Sequence, residues 1–97
     1  MAEQLAQNAP LVFQCAPDVV WVSTPGGIRV EAVERELSLT LGYPQAALWD
    51  FVVRGVSEGR TIGMMRHIGG FADESVTFDF VARSVREWQQ QGLIVPR

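Results

Sequence analysis

The chain has 97 residues, 47% of them hydrophobic, with a formal net charge of −3 and a sequence pI near 5.0. That length makes one domain around one core, with no room for an enzyme cleft between lobes. Three tryptophans and the apolar content separate it from disordered chains, and no apolar run approaches the ~18 residues of a membrane span.

An acidic domain is poorly equipped to neutralise phosphates, which disfavours non-specific nucleic-acid binding. The N-terminus is polar and acidic, unlike a secretory signal. Cys15 is the sole cysteine, so no internal disulfide can form, and a reducing, cytoplasmic setting is expected. All eight basic residues are Arg. Genomic base composition explains that, as does a need for bidentate pairing with carboxylates.

Met1 to Pro10 is polar and aperiodic and reads as a flexible N-terminus ahead of a single domain over residues 11–97. Leu11-Val12-Phe13 and Val19-Val20-Trp21-Val22 are β-branched and aromatic runs split by the turn signal Pro17-Asp18. Thr24-Pro25-Gly26-Gly27 is the strongest turn in the chain. Ile28, Val30 and Ala32 then alternate with polar neighbours, and so do Leu37, Leu39 and Leu41. The two sets differ in parity, so Val33 to Glu36 must hold a bulge or a turn if one face is to stay buried. Two or three short antiparallel strands are expected.

After Gly42 the period becomes helical. Pro44 suits a first turn, and Leu48, Phe51 and Val52 make a stripe ending near Gly55. Val56 to Gly59 reads as a loop, with Thr61 capping a short helix that turns Ile62, Met65 and Ile68 inward and stops at Gly69-Gly70. Asp73-Glu74-Ser75 can cap a third helix with an apolar stripe of Phe78, Val81, Val85 and Trp88, ended by Gly92. Leu93-Ile94-Val95 is a short apolar tail expected to pack back on the core. The fold class is therefore α+β, a small antiparallel sheet followed by three helices in a winged-helix-like order.

The search for chemistry is mostly negative. His67 is the only histidine, so neither a His pair nor a Cys-His cluster can hold a metal, and no metal or other cofactor is expected. Cys15, in a strand-like segment, reads as a packing residue before a nucleophile. The glycines at 26, 27, 69 and 70 lack the context of a phosphate-cradling loop. No carboxylates form a spaced acid–base pair, and Met64-Met65 read as core filler before a binding surface. No catalytic residue is assigned. A winged-helix domain often reads DNA with its last helix, but Asp79, Glu87, Arg83 and Arg86 balance the charge here. Specific duplex binding is not expected.

Three stretches carry a resemblance. Glu36-Leu37-Ser38-Leu39-Thr40-Leu41 precedes an aromatic helix, Ala46-Ala47-Leu48-Trp49-Asp50-Phe51. Gly59-Arg60-Thr61-Ile62 opens the second helix, and Phe80 to Trp88 runs into Gly92-Leu93-Ile94. From about Val19 to Ile94 the chain resembles the PqqD-like family, the precursor-peptide recognition element of ribosomally made, modified peptides. It departs from that family in a longer link at Arg54 to Gly59 and in the Gly69-Gly70 pair.

The resemblance implies a non-catalytic adaptor. It would bind the leader of a precursor peptide as an added strand and present it to a modifying enzyme, often a radical one. Carried over by position, the strand wall of the groove is Leu37, Ser38, Leu39, Thr40 and Leu41. The helix wall is Phe80, Arg83, Ser84 and Glu87. An exposed strand edge suits that role physically, because its unpaired N–H and C=O groups can pair with an extended peptide. Phe80 lies off the expected core stripe, so it either packs on the sheet edge or lines the groove. A winged-helix regulator of DNA or protein is the alternative, and a helper subunit without either ligand is a third reading. The adaptor is compatible with a monomer or a homodimer, and no membrane partner is expected.

Overall fold

The computed structural model describes residues 12–97, so the expectations for residues 1–10 and for Leu11 lie outside the described residues. Among these, the order is β1 (Phe13–Cys15), β2 (Val20–Thr24), β3 (Gly27–Ala32), β4 (Leu37–Leu41), α1 (Gln45–Val53), α2 (Glu58–Ile68), α3 (Glu74–Gln90) and β5 (Ile94–Pro96). This is the predicted α+β class: a small antiparallel sheet and three helices. No helix of the described residues is long and apolar enough to cross a membrane.

The parity argument resolves into a hairpin. Val33–Arg35 form a single 3-10 turn, and Glu36 takes a left-handed φ of 54° before β4 begins. Those four residues let Ala32 pair with Leu37, Val30 with Leu39 and Ile28 with Leu41. Even positions of β3 and odd positions of β4 therefore share the inner face, as alternation along two paired strands requires. β2 closes the sheet on the other side of β3 across Pro25-Gly26, giving the order β2-β3-β4. Val20 and Val22 point outward and are exposed.

The first expected strand does not join that sheet. β1 pairs antiparallel with β5 in a separate ribbon, Cys15 opposite Ile94 and Phe13 opposite Pro96. The apolar tail thus packs back as a strand, with Leu93 and Ile94 buried. Arg97 locks the ribbon down. Its Nε donates to the Phe13 carbonyl at 2.7 Å, and Nη2 donates to the Val53 carbonyl at the end of α1 at 3.0 Å.

α1 and α3 end alike. The Val56 N–H donates to Phe51 O and the Gly55 N–H to Val52 O, while Leu93 donates to Trp88 O and Gly92 to Gln89 O. Each pair is a 6→1 with a 5→2 bond around a glycine of positive φ, +78° at Gly55 and +69° at Gly92, a backbone shape that glycine adopts freely. α2 starts earlier than the sequence suggests. Ser57, not Thr61, is its cap, with Oγ accepting from the Arg60 N–H at 3.4 Å. Thr61 then falls one turn inside and is buried.

The stripe of α3 is also shifted. Asp73 caps the helix as expected, accepting from the Val76 N–H at 2.9 Å. The buried positions are Thr77, Val81, Ser84 and Trp88, whereas Phe78 is 47% exposed. The i, i+4, i+7, i+11 set follows the 3.6-residue turn closely. Thr77 tolerates burial because its hydroxyl donates to the Asp73 carbonyl at 2.9 Å.

One side chain ties the hairpin to the helix. Arg35 donates to both carboxylate oxygens of Asp18, at 2.7 and 3.2 Å, and to the carbonyls of Gln91 and Gly92 at 2.7 and 3.0 Å. The guanidinium holds the Asp18 carboxyl below its ordinary range. A depressed carboxyl contributes stability above its unfolded-state pKa, and that contribution is lost as pH falls through the folded-state value. Asp18→Asn should therefore destabilise the domain near neutral pH, and the difference from wild type should shrink on acidification. Thermal melts across the carboxylate range measure it, and a pH-independent difference would refute the assignment.

Candidate functional site

β4 is an edge strand. Among the described residues only β3 pairs with it, so its outer row of N–H and C=O groups has no strand partner. It holds neither charge nor proline, devices that commonly protect an edge. Leu37 and Leu39 face inward and are half-buried against the core, Leu41 is buried, and Ser38 and Thr40 are exposed. The Arg35 clamp holds the turn that opens β4 against the carbonyls of Gln91 and Gly92 just past α3, bringing strand and helix ends together.

The four helix positions divide. Phe80 is half-buried and packs on Phe71, with ring centroids 4.9 Å apart and planes tilted by 41°. Arg83 and Glu87 are exposed and enter none of the ion pairs among the described residues. Ser84 is turned into the core at 4% exposure, so its hydroxyl is not a surface contact. The reason is helical phase: it follows Val81 by three positions and precedes Trp88 by four. Phe71 was not singled out from the sequence. An aromatic just after Gly69-Gly70, outside any helix, was its only signal.

Other reactive side chains are quiet. Burial pushes the Cys15 thiol up, with the Trp21 indole partly opposing the shift. A protonated thiol is a weak nucleophile. His67 sits exposed on α2. On the far flank of α3, Phe13, Val52, Thr61, Val81 and Val85 surround an apolar cleft with Glu58 beside it. From the sequence, Val52, Val81 and Val85 read as core stripe alone. Comparison with family models, with curated proteins and with solved structures finds no match to this chain.

Proposed function

We propose that this domain is a non-catalytic adaptor that binds the leader of a precursor peptide along the outer edge of β4 and presents it to a peptide-modifying enzyme. The observation that carries the reading is the edge of β4, uncharged and without a strand partner among the described residues, ordered by its hairpin to β3 and by the Arg35 clamp. An extended peptide adds there by main-chain pairing, which supplies affinity with little selectivity. Leu37, Leu39 and Phe80 provide apolar footing, and Arg83 and Glu87 stand exposed to read charge. Ser84 takes no part. The five exposed charges of α3, Arg83 and Arg86 against Glu74, Asp79 and Glu87, sum to −1, which favours a peptide over a polyanion.

Arg83→Glu should weaken an acidic leader by about 1–3 kcal/mol, the range for a charge-assisted contact made and then reversed. Stability should stay within ~0.5 kcal/mol, as for exposed substitutions generally. The test is titration of the labelled domain with peptides encoded beside its gene, followed by amide shifts. Perturbations confined to β1, β2 or residues 54–60, sparing 37–41 and 80–87, would remove the β4 edge as the site.

A further inference from the structure

The cleft on the other flank of α3 has a volume of about 160 Å3, close to the ~150 Å3 of an apolar cavity that takes up benzene. Phe13, Val52, Val81 and Val85 make its wall apolar, and its two polar lining residues, Glu58 and Thr61, both lie on α2. Glu58 is exposed and enters none of the ion pairs among the described residues. Thr61, one turn along α2, lines the cleft, and its buried Oγ1 has no hydrogen-bond partner among the described residues. Residues three apart on a helix stand side by side. One donor can therefore serve both.

We propose that this cleft binds small primary amines whose apolar body is about the size of a benzene ring. The body fills the space among Phe13, Val52, Val81 and Val85. The ammonium stays at the Glu58 end, donating to its carboxylate. The Thr61 hydroxyl, one turn further along α2, is the second acceptor that the ammonium addresses there. Glu58 repels an anion of the same shape. Helical phase puts Phe80, Arg83 and Glu87 on the opposite flank from Ala82 and Val85, so this site stands or falls apart from the β4 edge.

The test titrates the full labelled chain with benzylamine, toluene and benzoate, three ligands of one shape that differ in charge. Benzylamine should give saturable amide shifts at Glu58, Thr61, Val81 and Val85 with millimolar affinity, toluene weaker shifts at the same amides, and benzoate none. Glu58→Gln should lower benzylamine affinity about three- to fivefold, the scale of one partly solvated ion pair, and leave toluene unchanged. Ala82→Leu, at a half-buried lining position, should abolish both while the remaining amide spectrum stays native. Absence of saturable benzylamine shifts, equal binding of benzoate, or unaltered benzylamine affinity in Glu58→Gln would each overturn the proposal.

Discussion

Trp88→Ala should destabilise the domain by about 3–5 kcal/mol, the range for truncating a buried large side chain. Trp88 is 3% exposed near the end of α3, and its indole meets that of the fully buried Trp49 edge-to-face, with centroids 5.1 Å apart and planes at 81°. The pair joins α1 to α3, and Leu93 continues the contact by donating to the Trp88 carbonyl at 2.9 Å. Removing the ring therefore opens a cavity where two helices and the returning tail converge. Beyond the area lost, an edge-to-face pair contributes about 0.5–1.5 kcal/mol, so Trp49→Ala and the double variant should show coupling of that size. Urea melts of the four proteins measure both quantities. A loss under ~1 kcal/mol for Trp88→Ala would mean that the ring is not a keystone of the core.

Trp49 also shows where sequence periodicity stopped. A stripe of Leu48, Phe51 and Val52 assumes a helix with one wet face, yet Ala46, Leu48, Trp49 and Val52 are all buried. α1 contacts β1 and β3 as well as α2, so two sides of it face protein. Amphipathic spacing cannot reveal such a helix. In α3 the error was one of phase: Phe78 attracted the stripe by its hydrophobicity, while Thr77 and Ser84 occupy the inner face. A small hydroxyl residue passes for an exposed one in any apolar count, as Thr77 does with its hydroxyl bonded to the Asp73 carbonyl. By contrast, the β3–β4 hairpin was legible down to its turn, because a parity change between two alternating runs has few physical solutions. The pairing of β1 with β5 was not legible, since it joins segments some 80 residues apart and depends on tertiary return of the tail. Within the proposed site, the β4 residues could be read from alternation. Phe71 and the cleft beside Glu58 arise from packing between helices, which local pattern does not encode.

Gly27→Ala should cost at least ~2 kcal/mol, well beyond the ±0.5 kcal/mol of ordinary exposed substitutions, and should weaken the β4 edge from the neighbouring strand. A Cβ at Gly27 would stand 1.9 Å from the Leu41 carbonyl oxygen and 2.9 Å from its carbon. Both are backbone atoms, so no side chain can swing away to relieve the overlap. Leu41 cannot retreat freely either. It is buried, it pairs with Ile28, and the next residue, Gly42, accepts the Ala46 N–H at 2.8 Å as α1 begins. Relief must therefore separate β3 from β4 at this end or disturb the entry to α1. Gly26→Ala is the matched control: the same change one residue earlier meets nothing within 4 Å among the described residues, and its effect should stay within ~0.5 kcal/mol. Amide exchange should quicken at residues 39–42 in Gly27→Ala and not in Gly26→Ala. If the β4 edge receives a peptide, the first variant should also bind it more weakly, since a frayed strand must be ordered again on binding. Equal stability of the two alanine variants would show that the end of β4 is not held against Gly27, and the rigidity on which strand addition depends would have to come from the Arg35 clamp alone.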